Sequence, residues 1–93
     1  MSVRVFESVS VRIANLIDNS MNFKMNIKEV QKEMINIMNV VIDENKETID
    51  NEYMNEIHIS LSKIMFSKSI EMIIAELNCL NEIMKGIIKK LTN

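Results

Sequence analysis

Apolar residues at Phe66, Ile70, Ile73, Leu77, Leu80, Met84, Ile87 and Leu91 step 4, 3, 4, 3, 4, 3, 4 along the C-terminal third of the chain. That spacing lays one stripe down one face of a helix and suits packing against a neighbouring helix. Upstream, Tyr53, Ile57, Leu61 and Ile64 form a second stripe offset from the first, with Lys68 where the next apolar residue is due. The pattern predicts one long helix over 51–91 whose face changes partner or twists near Met65. Acidic residues at its start (Glu47, Asp50, Glu52, Glu56) and lysines at its end (Lys85, Lys89, Lys90) complement the helix dipole.

A second helix is predicted over 27–42. Asn26 followed by Glu29 has the form of a capping box, and Ile27, Val30, Met34, Ile37 and Val41 step 3, 4, 3, 4 on one face. The charged run 43–50 interrupts the pattern and predicts a reversal. The first segment is ambiguous. Val3, Val5, Val9, Val11 and Ile13 alternate as in a strand, while Phe6, Val9, Ile13, Leu16 and Ile17 recur at helical spacing. A helix over 6–18 is the expectation, because a strand there has no partner to pair with. Residues 19–24 are polar and read as a break.

Composition sharpens this picture. The 93 residues hold one glycine, Gly86, and no proline, so turns and strand bends lack their usual residues and helices lack their usual stops. The expected fold is all-α: a single domain, formed by a helical hairpin or small bundle with coiled-coil-like packing and one long C-terminal helix. A helix of about 40 residues spans roughly 60 Å, against roughly 24 Å for the helix over 27–42. Much of the long seam is then uncovered, and Ile74, Ile83 and Ile88 widen it. A homo-oligomer or the helix of another protein is the expected cover. The interface is expected at Phe66, Ile70, Ile73, Leu77, Leu80, Met84, Gly86, Ile87, Ile88 and Leu91.

Charge and candidate chemistry exclude more than they assign. Net charge is −2 with both signs interleaved, which supplies no positive field for nucleic acid. The longest apolar run, Met72 to Ala75, is far short of the roughly 20 residues that span a bilayer. No conventional signal peptide opens the sequence, so a cytoplasmic location, or export by a route that needs none, is expected. His58 is the only histidine and Cys79 the only cysteine. No catalytic set, metal site or cofactor site is expected: a triad needs a nucleophile, base and orienter, and a carboxylate-bridged di-iron bundle needs Glu-x-x-His on two helices. His58 reads as a surface or interface residue and Cys79 as a small hydrophobe beside the seam. The pairs Glu29/Glu33 and Glu52/Glu56 read as solvated helix faces. Gly86 either admits another backbone at close range or weakens its helix.

The acidic turn Asp50-Asn51-Glu52, one long terminal helix and the last heptad, Ile83-Met84-Lys85-Gly86-Ile87-Ile88-Lys89-Lys90-Leu91, resemble the needle and inner-rod subunits of type III secretion systems. The resemblance covers about the last 40 residues. It implies a small exported helical hairpin whose C-terminal helices pack side by side into a hollow filament, with Met84, Gly86, Ile87, Ile88, Lys90 and Leu91 as packing positions. That family turns at a proline before the long helix and carries a glutamine early in it. Here there is no proline, and His58 and Ser60 occupy the region. The competing expectation is a small phage or viral helical adaptor or inhibitor that lays the same apolar face on a host protein.

Overall fold

The computed structural model describes residues 3–45 and 47–93. Four helices follow one another: α1 (Val3–Met21), α2 (Ile27–Asn45), α3 (Asn51–Phe66) and α4 (Ile70–Thr92). Each neighbour in sequence packs against the last, and α4 closes the ring on α1 in the most extensive of the contacts. Short connections at alternate ends make an up-down-up-down bundle measuring 36 × 20 × 18 Å. The fold is an all-α small helical bundle.

The expected helix over 6–18 is extended to Val3–Met21, and its helical stripe is the one that counts: Phe6, Val9, Ile13 and Leu16 are buried. Met1 and Ser2 lie outside the described residues, as does Lys46 within the expected reversal at 43–50. On either side of Lys46 that reversal is present, with α2 ending at Asn45 and α3 starting at Asn51. Ile49 anchors it by turning into the core. The capping box at the start of α2 is formed in both directions. The Glu29 backbone N–H donates to Asn26 Oδ1 at 2.9 Å, and the Asn26 N–H donates to Glu29 Oε1 at 3.0 Å.

One expectation is corrected. The helix over 51–91 is two helices, broken at Ser67–Lys68–Ser69, where the offset between the two apolar stripes falls. The offset is a change of direction rather than a twist. Ser67 and Ser69 both adopt extended backbone angles, and the Ser69 hydroxyl accepts the Met72 N–H at 3.4 Å as the N-cap of α4. Glu71 in the first turn has its carboxyl held below the ordinary value by its own backbone N–H and by the Ser69 hydroxyl. With no glycine to cap α3, the chain uses a remote side chain. Gln31 of α2 directs its amide N–H groups at the carbonyls of Ile64 (3.1 Å), Met65 (3.3 Å) and Ser67 (3.3 Å).

Folding α3 back on α4 changes what the seam does. Ile73, Leu77, Leu80, Met84 and Ile87 are all buried within this one chain, against α1 on one side and α3 on the other. Around them, Val30, Met34, Ile37, Met38 and Val41 of α2 and Ile57 and Ile64 of α3 complete a continuous core. The uncovered seam expected from helix lengths is therefore absent. Its cover is intramolecular. Polar ties register the helices: the Ser10 hydroxyl donates to Asn81 Oδ1 at 2.5 Å between α1 and α4, and Arg12 meets Glu33 at 2.7 Å between α1 and α2. Lys90 near the end of α4 pairs with Asp50 at the start of α3.

Candidate interaction surface at the loop end

The expected interface residues divide in three. Ile73, Leu77, Leu80, Met84 and Ile87 are core, while Ile70, Ile88 and Leu91 are half-buried. Phe66, by contrast, is 85% exposed, since it ends α3 just before the break and points out of the bundle.

Gly86 has an internal explanation. A Cβ built there would lie 3.0 Å from Tyr53 Oη and 3.3 Å from Tyr53 Cε1. The close neighbour within the chain is the Tyr53 phenol of α3. A Cβ there requires the Tyr53 ring to give by a few tenths of an ångström, so the gain from Gly86→Ala is expected to fall short of the roughly 1 kcal/mol that glycine loses in a helix interior. The check is thermal unfolding of Gly86→Ala with and without Tyr53→Ala. The gain should be larger when the ring is absent, and no gain in either background would refute the account.

Phe66 is not alone at its end of the bundle. The α1–α2 loop and the α3–α4 loop lie there together, and Phe23 in the first of them is 87% exposed. Phe23 has φ 58, the only positive φ at a non-glycine among the described residues. The local hydrogen bonds account for that angle. The Phe23 N–H donates to Ser20 O at 3.3 Å and the Lys24 N–H to Asn19 O at 2.8 Å, the paired bonds of a Schellman motif with Phe23 at the left-handed position. Glycine is the residue that position favours, and a bulky side chain there carries a steric cost of about 1–2 kcal/mol. The chain thus holds a large apolar side chain in water on a backbone that disfavours it.

Two shallow grooves join the phenylalanines into one surface. The first, about 370 Å³, runs from Phe23 over Met25 and Ile27 to Ile70, and the second, about 460 Å³, runs from Ile27 past Met65 to Phe66. Ile27 and Lys28 line both. Met21, the last residue of α1, and Met72, in the first turn of α4, are 60% and 55% exposed. Lys68 joins Lys28 on the rim of the second groove, and among the described residues neither makes an ion pair. At the edge of the first groove lies Ser20, whose buried hydroxyl is the one buried side-chain polar atom among the described residues without a hydrogen-bond partner. Such atoms are rare in native proteins, because losing water without a replacement is unfavourable.

Phe23 and the groove around it were not legible as a site. The signal was an aromatic residue in the polar break after the first helix, at a position where a chain this poor in glycine has to put something else. His58 and Cys79 are exposed, so Cys79 is not tucked beside the seam as expected. Glu33 is engaged by Arg12. Among the described residues no three His, Cys, Asp or Glu side chains gather as a metal site would require, and no helix is long and apolar enough to cross a membrane.

The fold and this surface define a small all-α bundle with an apolar, lysine-rimmed end. Comparison with known proteins adds no family to that description: no family matches the chain, and no curated protein or solved structure does.

Proposed function

We propose that the chain is a non-catalytic protein–protein interaction or assembly subunit that makes its contact through the loop end of the bundle. The observation that carries this reading is Phe23, an exposed aromatic held at the position where glycine would stabilise the fold. Residues kept at the expense of stability concentrate at functional sites. Aromatic side chains are the commonest anchors of protein interfaces, since each buries about 150–250 Å². Phe66, Met21 and Met72 supply adaptable apolar area beside it.

This reading moves the interface off the α4 seam. A filament of the secretion-needle type, with Met84 and Ile87 between subunits, would require the bundle to open and expose side chains now buried in one chain. An assembly of closed bundles through their loop ends needs no such step. Adaptor and assembly subunit differ in what occupies that end, and the test separates them.

The substitution Phe23→Gly tests the reading through two opposed effects. Relief of the left-handed strain, less the greater freedom of glycine in the unfolded chain, should stabilise the fold by about 0.5–1 kcal/mol. Melting should rise by roughly 2–8 °C. Binding should weaken, measured as self-association by light scattering and as capture of other proteins by wild type and variant side by side. A variant that melts higher and binds less supports the interaction role, while one that melts higher with self-association and capture both unchanged removes it.

A further inference from the structure

A third apolar groove lies on the side of the bundle, between α3 and α4. It measures about 460 Å³ and is lined by Ile59, Ile83 and Cys79, with Glu56 and Glu82 at its edges. Ile59 is 56% exposed there. The charged residues that line it are opposite in sign to those that line the two grooves of the loop end. Two carboxylates border the side groove, and two lysines, Lys28 and Lys68, border the phenylalanine-bearing end. Among the described residues Glu56 makes no ion pair, and Glu82 makes only an exposed one to Lys85 at 3.8 Å. Exposed pairs of that kind are weak and yield readily to a better partner.

We infer that the two surfaces are each other's partners: the loop end of one copy, with Phe66 leading, seats in the α3–α4 groove of the next copy, Lys28 and Lys68 facing Glu56 and Glu82. This rests on the loop end being the interaction surface, as proposed above, and names a second copy as its occupant. The contact joins different patches of the two copies, so a pair of copies keeps one free end and one free groove. Contacts of that kind close into a ring or continue into an open chain. The end of the bundle is only 20 × 18 Å across, which places the contact among the small, weak and salt-sensitive interfaces. Apolar area supplies attraction there, and the charge pattern selects orientation and partner.

Charge exchange tests the inference on the full chain. By sedimentation at low salt, the wild type should grow in mass with concentration beyond a dimer, and high salt should reverse the growth. Lys28→Glu with Lys68→Glu, and separately Glu56→Lys with Glu82→Lys, should each associate about tenfold or more weakly. Mixing the two variants restores opposite charges at both contacts, so the mixture should associate as the wild type does. A control with the same net charge as the first variant, Arg4→Glu with Lys89→Glu, should not associate with the groove-reversed variant any better than the wild type does. Maleimide labelling of Cys79 adds an independent reading, since the thiol should become protected as wild-type protein associates.

A wild type that stays monomeric at all concentrations overturns the inference, and so does an unrestored mixture or a Cys79 that labels equally fast in the associated state. If reversing the end weakens association while reversing the groove does not, the second copy uses another surface. The inference then fails and the interaction role of the loop end stands. If neither reversal nor Phe23→Gly alters any association, both fail together.

Discussion

Leu80→Asp is expected to unfold the chain. Leu80 is fully buried in the middle of α4, the helix that packs against both α1 and α3. The substitution removes a buried aliphatic side chain, which alone is worth roughly 2–5 kcal/mol with its cavity, and leaves a carboxylate with no partner in its place. A bundle of this size has a total stability of about 5–15 kcal/mol, so the sum reaches most or all of it. Far-UV circular dichroism should show loss of helix at every protein concentration, because the face is filled from within the chain. Val11→Asp, at a position 61% exposed on α1, serves as the control and should shift stability by no more than about 0.5 kcal/mol. A Leu80→Asp protein that keeps its helix and changes only its mass would return the seam to an intersubunit role.

The second large effect is at Phe6→Ala. Phe6 is completely buried, is the largest of the fully buried side chains among the described residues and belongs to the helix that makes the broadest contact with α4. Truncation to alanine should destabilise by about 3–5 kcal/mol. In urea the midpoint should fall steeply with little change in the slope of the transition, since the folded and unfolded states keep their overall surface difference. Retention of wild-type stability would mean that α1 is dispensable. The core would then rest on α2, α3 and α4 alone.

Both substitutions probe a feature that lies between reading and structure. The stripe from Ile70 to Leu91 was legible as one helical face, and so was the stripe from Tyr53 to Ile64. Their offset was legible too. What could not be read was whether Lys68 marked a twist in one helix or a turn between two, because serine and lysine are compatible with either. Ser69 as an N-cap decides it locally, but only in combination with Gln31, a residue of α2 that reaches the carbonyls at the end of α3. That contact spans more than thirty positions in the chain. No local pattern reports it.

The candidate site shows the same division. The exposed end depends on two loops brought side by side by the up-down-up-down order, so Phe23 and Phe66 share a surface although 43 positions separate them in the sequence. Gly86 was legible either as a close approach or as a weakened helix, and the neighbour it meets, the Tyr53 ring, is set by how α3 lies on α4. Alone, the amino-acid pattern determined the helical class, the capping box at Asn26 and Glu29, the reversal before Asn51 and which face of each helix is apolar. These follow from periodicity and from side chains bonding within a turn of themselves. The tertiary structure decided which faces meet: the α4 seam is spent inside one bundle, and the apolar surface left for partners moves to the loop end. Burial is a property of neighbours far apart in sequence, and a stripe of apolar residues carries no mark of whether its own chain or another covers it.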